Sequence, residues 1–357
     1  MTTDSGLILF LTVGAVFSAS VTWLSIRYAH RRALLDMPGQ RRSHSVPTAR
    51  GGGVGIVATV LAGLAILQFG GHGTIFGAWL MLAVILVAAA GWIDDHRGLS
   101  VRARLAAHVA ATIALCWPLF RFFSFLLAAG GDAAWRGENT AMAVAAVVLV
   151  SAGVWFINLH NFMDGINGLL ASQAVFVFVA TAWLVSGDGR TALLFCAAAV
   201  AGFLPFNFPR ARVFMGDVGS GTLGLLIAAA VLLQALSFHG SPFSGLIACS
   251  AFVTDATCTL LSRMCARRRW YSAHREHLYQ WLARGRFSHA RVVALYMGWN
   301  LFVVVPVLYA LNRGAVPVSP LTGFLSALAV YALAVAVWTA GKRWCLANAR
   351  MRKKGKI

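Results

Sequence analysis

"IFGAWLMLAVILVAAAGW", residues 75–92, contains no charged side chain and is followed at once by "IDDHRG", residues 93–98. At about 1.5 Å per residue, such a run is nearly long enough as helix to cross a hydrocarbon layer roughly 30 Å thick. Similar runs occupy residues 6–26, 53–70, 105–123, 140–157, 168–186, 191–206, 221–238, 243–262, 292–311 and 319–341. They are apolar on all sides rather than striped. Helices are the only open structures that satisfy their own backbone in lipid. The expected fold is therefore an all-α integral membrane bundle of about eleven transmembrane helices. One catalytic domain over 1–341 with a basic tail over 342–357 is the economical division.

Composition agrees with this reading. Hydrophobic residues make up 59 % of the chain and charged residues 11 %, and the mean hydropathy is +0.74. A water-soluble domain has about twice that charged fraction. The formal charge of +19 reflects scattered residues next to the membrane, which topology and anionic lipid explain better than nucleic acid does. Only Arg121, Arg136, Arg190 and Arg313 fall on the side opposite to the remaining Lys and Arg. By the positive-inside rule the basic loops are cytoplasmic, the N-terminus is outside and the C-terminus inside. The first helix lacks a basic leader and a small-residue cleavage site, so it is expected to remain as an anchor. The six cysteines form no CxxC pair and suggest neither disulfides nor a cysteine metal site.

The eleven acidic residues are more informative. Asp4, Asp132, Glu138 and Asp188 fall on the outer side. Asp36, Asp94, Asp95, Asp164, Asp217, Asp255 and Glu276 belong to the cytoplasmic half, where ionisable groups near lipid need partners. Asp94 and Asp95 end the third helix, where acids oppose the helix dipole. A hard cation that also binds phosphate oxygens, Mg²⁺ above all or Mn²⁺ in its place, would account for the pair. In "NLHNFMDGINGLL", residues 158–170, Asn158, Asn161, Asp164 and Asn167 recur every third residue and would be neighbours on a helix. They read either as a polar cap or as donors and acceptors for a nucleotide or sugar.

"FMGDVGSG", residues 214–221, sets Asp217 among glycines just before an apolar run. Asp217 or Ser220 could cap the helix, or the turn could admit phosphate with a carboxylate for metal. "ARGGGVG", residues 49–55, is not a P-loop because no GK[ST] follows, and helix packing explains its glycines about as well. "RRRWYSAHREHLYQ", residues 267–280, brings His274, Arg275 and His277 into one loop. It contains no HExxH, and the combination suits a diphosphate better than a metal.

These blocks, with "GFLPFNFPRARVFMGDVGSG" (202–221) and "SHSVPTARGGG" (43–53), resemble the polyprenyl-phosphate glycosyl-1-phosphate transferases. That superfamily includes phospho-N-acetylmuramoyl-pentapeptide transferase and enzymes that begin O-antigen synthesis. The similarity runs from about Asp36 to His277. It implies transfer of a sugar 1-phosphate from a UDP-N-acetylhexosamine to undecaprenyl phosphate, with release of UMP and a need for Mg²⁺. Carried over, Asp94 and Asp95 match the paired aspartates for lipid phosphate and metal, and Asp217 matches the metal ligand. Phe214 matches an aromatic that stacks on uracil, and Asn158, Asn161 and Asp164 match the nucleotide-sugar loop. Asp255 and Arg263 match an Asp…Arg pair, and His44 and Arg50 fall in the matching basic block. The catalytic candidates are thus Asp94, Asp95 and Asp164.

The chain departs from the family pattern at Asn167, where many members have Asp, at His108, where Gln is common, and in HREHLYQ, where three histidines are usual. Similarity to enzymes handling 6-deoxy-N-acetylhexosamines suggests such a donor, with UDP-N-acetylglucosamine the alternative. The expected setting is the bacterial inner membrane with the site on its cytoplasmic face. Expected partners are the two substrates and membrane lipid, with a homodimer the oligomer considered. The rival class, a transporter or flippase, would place its ionisable residues near midmembrane.

Overall fold

The structure, a computed structural model, describes residues 4–37, 46–129, 135–237, 240–269, 274–313 and 318–353. Its helices are α1 (Asp4–Arg31), α2 (Val54–Leu67), α3 (Ile75–Arg97), α4 (Val101–Ala129), α5 (Trp135–Phe162), α6 (Leu169–Trp183) and α7 (Gly187–Asn207). They continue with α8 (Gly216–Ala235), α9 (Ser244–Ala248), α10 (Ser250–Cys265), α11 (Leu278–Arg284), α12 (His289–Trp299), α13 (Val305–Asn312) and α14 (Pro320–Lys353). A π-helical turn over Asn300–Val304 joins α12 to α13.

Among the described residues, nine helices are long and apolar enough to cross a membrane. Two of the expected spans differ. The run at 168–186 gives α6, with 15 residues and so only about 22 Å long. The run at 243–262 is split at Cys249 into α9 and α10. Backbone groups near the break are bonded within the protein, as lipid requires. Gln173 Nε2 donates to the Ala248 carbonyl at 3.1 Å, and Gln234 Oε1 accepts from the Gly245 N–H at 2.8 Å. Asn300 Nδ2 in turn donates to Gln173 Oε1 at 2.7 Å.

At the centre lies α8, with 78 % of its apolar window buried against 17 % for α1. Helices α3, α5 and α6 pack along it, and α1 pairs with α7 on the flank. Small residues set the spacing, as expected where helix association depends on close packing rather than on exclusion of water. A methyl added at Gly91 of α3 would lie 2.5 Å from the Val218 nitrogen, and one at Gly224 would lie 2.7 Å from the Ile157 Cα. Gly53 is pressed against Gly219 in the same way. Gly52, Gly53 and Gly55 of "ARGGGVG" thus serve packing, whereas Gly51 has open space at its Cβ position and a φ of +90°. The amides of Gly52 and Gly53 are also spent on the carbonyls of Phe214 and Met215, each at 2.9 Å.

One element was not expected in an all-α chain. Strand β1 (Leu35–Asp36) pairs antiparallel with β2 (Thr48–Ala49), Leu35 opposite Ala49 and Asp36 opposite Thr48. Ala49 also bridges Val213 in parallel. This ribbon ties the segment after α1 to the stretch that enters α8.

Candidate active site

The chain enters α8 through Gly216, whose φ of +76° suits glycine and few other residues. The first N–H groups of a helix need acceptors, and here they come from another helix. Asp95 on α3 accepts from the Asp217 N–H at 3.0 Å and from the Val218 N–H at 3.1 Å. Neither Asp217 nor Ser220 caps the helix with its own side chain. The acid at the unfavourable end of α3 therefore lies at the favourable end of α8. Arg50 Nε approaches Asp95 Oδ1 at 2.8 Å, and the Asp95 side chain is 3 % exposed.

This cap leaves the Asp217 side chain free to face the other polar groups. Asn161 Nδ2 donates to its Oδ1 at 3.2 Å. Arg50 lies 3.6 Å from the same oxygen, and Arg104 lies 3.6 Å from Oδ2. Asp94 accepts from the Leu99 N–H, lies 3.4 Å from Arg104 and is in side-chain contact with Asp217. The adjacent pair is thus divided: Asp95 holds α8 and Asp94 faces Asp217. Arg104, which the sequence reading did not single out, joins them from the first turn of α4, and its Nε is buried with no hydrogen-bond partner.

Asn161 lies in the last turn of α5, whereas Asp164 and Asn167 lie in the turn beyond it. The every-third-residue pattern therefore does not form one helical face. Asn158 points to the α4 side, donating to the Val154 carbonyl at 2.7 Å and lying 3.3 Å from His108 Nδ1. The turn itself is gripped from three sides. Asn207 Oδ1 accepts from the Gly168 N–H at 2.7 Å, and the Pro209 carbonyl accepts from Asn167 Nδ2 at 3.2 Å. The Tyr279 hydroxyl donates to the Phe162 carbonyl at 2.9 Å. Burial raises the Asp164 carboxyl well above the usual carboxylate range, Asp217 and Asp95 push it the same way, and Arg50 opposes them.

Arg50, Asn161, Asp164 and Asp217 open onto a cavity of about 900 Å³, within the range of small-molecule sites. Of the residues singled out from sequence, Arg50, Asn161, Asp164, Phe214, Asp217, His274 and Arg275 line it. Burial, reinforced by His277 and Arg263, holds the His274 imidazole down to about 4, so at neutral pH the cationic groups on that wall are arginines. Asp36, Gln280, Arg284, Phe287 and His289 line it too. No spacing rule pointed to these, because separate elements deliver them. Arg104, one helical turn before His108, had the only local signal.

Seven sequence candidates among the described residues stand apart from the cavity lining: Asp94 and Asp95, which lie behind Asp217, and Asn158, Asn167, Asp255, Arg263 and His277. Asp255 is 1 % exposed and is a hub. It accepts from the N–H groups of Leu278 at 2.7 Å and Tyr279 at 3.3 Å. It also accepts from the Tyr296 hydroxyl at 2.6 Å and from Trp338 Nε1 at 3.0 Å. It thereby anchors the start of α11, whose Gln280 and Arg284 reach the cavity. Arg263 bonds Glu276 and, at 2.8 Å, the Arg269 carbonyl. His277 is buried 3.9 Å from Asp255, and burial lowers its affinity for a proton. Asn167 is bonded at the rim, and His44 lies outside the described residues.

Among the described residues no three His, Cys, Asp or Glu side chains are grouped as a complete metal cage. Mg²⁺ is more often held by one or two carboxylates and substrate phosphates. Two facing carboxylates, Asp94 and Asp217, with Asp164 close enough to perturb, fit such a hard cation. The orphaned Arg104 Nε suits an anion beside it.

The arrangement is a polar, metal- and phosphate-suited cavity at one end of a helical membrane bundle. Residues 77–235, from α3 to the end of α8, match the family described as glycosyl transferase family 4. The chain is similar over most of its length to polyprenyl-phosphate N-acetylglucosamine phosphotransferases. It is 29 % identical over 324 residues to a decaprenyl-phosphate N-acetylglucosaminephosphotransferase of Mycolicibacterium smegmatis, covering 81 % of this chain and 78 % of that one. It is 27 % identical to the protein of the same description from Mycobacterium leprae, covering 80 % and 79 %. It is 24 % identical to the undecaprenyl-phosphate α-N-acetylglucosaminyl 1-phosphate transferase of Escherichia coli K12, covering 78 % and 77 %.

Proposed function

We propose that the protein transfers an N-acetylhexosamine 1-phosphate from a UDP-sugar to undecaprenyl phosphate, releasing UMP, as a first membrane step of O-antigen or related envelope polysaccharide synthesis. The observation that carries this reading is the charged cluster around Asp217, in which Arg50, Arg104 and Asp94 meet at the edge of a cavity that Arg50 and Asp217 themselves line. There a membrane-bound phosphate and a soluble nucleotide can both arrive. In the overall exchange an acceptor phosphate oxygen becomes bonded to the sugar-bearing phosphorus, and the bond from that phosphorus to the bridging oxygen of the diphosphate breaks. UMP leaves with that oxygen.

Two polyanions must be brought together, so charge neutralisation is the principal demand. Asp94 and Asp217 would hold Mg²⁺ or Mn²⁺, which when bound supplies Lewis-acid neutralisation of the phosphates. Arg50 and Arg104 stand beside these carboxylates and would pair with phosphate oxygens. Asp164, whose carboxyl burial raises well above the usual carboxylate range, suits proton transfer from the acceptor phosphate. Asp95 acts by fixing α8, and so the direction of Asp217.

The Lys and Arg asymmetry supports a cytoplasmic site in an inner membrane, the N-terminus outside and the C-terminus inside. The names of the relatives favour N-acetylglucosamine as the sugar. A 6-deoxy-N-acetylhexosamine is the second reading, favoured by the apolar Ile166, Ala283 and Phe287 on the cavity wall. Comparing kcat/KM for the two UDP-sugars separates them. A tenfold preference for UDP-N-acetylglucosamine would remove the 6-deoxy reading and leave the reaction class intact.

Purified protein should release UMP from a UDP-N-acetylhexosamine only when polyprenyl phosphate is supplied. A transporter would release none, and UMP release independent of the lipid would refute the transfer.

A further inference from the structure

Ile166, Ala283, Phe287 and His289 are among the residues that line the cavity and take no part in the charge chemistry above; none carries a formal charge with the imidazole neutral. They are joined locally. The Arg286 N–H bonds the Ala283 carbonyl and the Phe287 N–H bonds the Leu282 carbonyl, each at 3.3 Å, which turns the chain from α11 towards α12. His289 is the first residue of α12, whose N-cap Ser288 accepts from the Arg291 N–H at 3.3 Å. The Asn167 N–H donates to His289 Nδ1 at 3.3 Å, which ties the turn that carries Ile166 to the start of α12.

That last bond assigns the tautomer. An N–H donor facing Nδ1 requires a lone pair there, so in the neutral ring the proton sits on Nε2. These lining residues thus combine apolar surface with a neutral hydrogen-bond donor. A diphosphate would call for cations, which Arg50, Arg275 and Arg284 supply to the same cavity. A planar base calls for an aromatic face, and Phe214 lines the cavity on the segment that enters α8. The uncharged lining residues match the remaining part of the donor, an N-acetylated amino sugar with oxygen acceptors and apolar ring faces.

We propose that His289 is a specificity-determining residue that contacts the donor sugar through Nε2–H, accepted by a hydroxyl or the N-acetyl carbonyl. The inference rests on the transfer reading above. It adds a place for the sugar and a residue outside the motifs that carry the family resemblance.

Two substitutions divide the two nitrogens. His289→Asn puts an amide oxygen near the place of Nδ1, keeping an acceptor for the Asn167 N–H, but lacks the reach of Nε2. His289→Gln restores a donor near the Nε2 position. In purified full-length protein, kcat/KM for UDP-N-acetylglucosamine and for a UDP-N-acetyl-6-deoxyhexosamine should be measured together with competitive inhibition by UMP, which lacks the sugar. Loss of one neutral hydrogen bond predicts roughly a three- to tenfold fall in kcat/KM for His289→Asn, recovered in part by His289→Gln. The UMP inhibition constant and the melting temperature of His289→Asn should stay near wild type.

Unchanged kcat/KM in His289→Asn, or a parallel weakening of UMP, overturns the sugar contact. Absence of UMP release in the wild-type protein with both substrates present would instead refute the transfer reading itself.

Discussion

Asp95 on α3 binds the backbone of Asp217, accepting its N–H at 3.0 Å, so that one aspartate sets the position of another 122 residues away. Their substitutions should therefore differ in kind. Asp95→Ala removes the acceptor for the α8 amides and the partner of Arg50, costing about 1–3 kcal/mol. It should lower the melting temperature by several degrees as well as reducing turnover.

Asp217→Asn and Asp94→Asn should leave the fold intact in detergent and lower turnover by about a hundredfold or more, since they act on charge neutralisation. Mg²⁺ should raise the melting temperature of the wild type by mass action and have no such effect on Asp217→Asn. Near-normal turnover of Asp217→Asn at saturating Mg²⁺, or an undiminished Mg²⁺ shift, would refute the metal assignment.

A methyl at Gly91 has no room, lying 2.5 Å from the Val218 nitrogen and 2.6 Å from the Asp217 backbone. Gly91→Ala should push α3 from α8 at the level where Asp95 caps it. Overpacking of this kind costs about 1–3 kcal/mol, and the cap should lengthen with it. A joint loss of melting temperature and turnover is expected. Wild-type values for both would show that the helices can separate there without consequence.

The spans were legible because apolar length is a local property, and the chemistry was legible because eleven acids in an apolar chain must be explained. What the acids do was less so. Asp94 and Asp95 are adjacent, but nothing local reveals that one caps α8 while the other faces Asp217. Asp255 looked like a site residue because a carboxylate near lipid is costly, yet its five donors come from α10, α11, α12 and α14. Cys249 breaks a run long enough to read as one span, and side chains from other helices, Gln173, Gln234 and Tyr331, bond the backbone near the break.

Asn167 replaces the Asp common in this family. Its Nδ2 donates to the Pro209 carbonyl, a bond that a carboxylate would turn into oxygen facing oxygen. Asn167→Asp should be tolerated far better than Asp217→Asn, with a loss of roughly three- to tenfold in turnover and a small fall in melting temperature. A gain in activity would show that the latch has no role.

Sidedness is testable by labelling. With Cys265, which is exposed, changed to serine, a cysteine at Ser43 or Ser288 should be shielded from an impermeant thiol reagent in whole cells. One at Asp188, in the first turn of α7, or at Ala134 should react. Ser43 and Ala134 lie outside the described residues. Labelling at Ser288 from outside would invert the proposed topology.

Asp164 should trade stability for function. Its carboxyl is raised well above the usual range by burial first and by Asp217 and Asp95 after it. In the folded protein it therefore keeps a proton that the unfolded chain releases near pH 4. Stability must then fall as pH rises from about 4 towards the folded value, and stay lower above it. Asn does not titrate, so Asp164→Asn should melt higher than wild type at neutral pH while losing most of its turnover. The difference should shrink as the pH is lowered towards 4, where the wild-type carboxyl is protonated in both states. Melting curves of the two proteins across pH 4–8 read this directly. An Asp164→Asn protein less stable than wild type at pH 7 would mean that the charged carboxylate is well satisfied in the fold, and the strained-carboxyl account of this residue would be wrong.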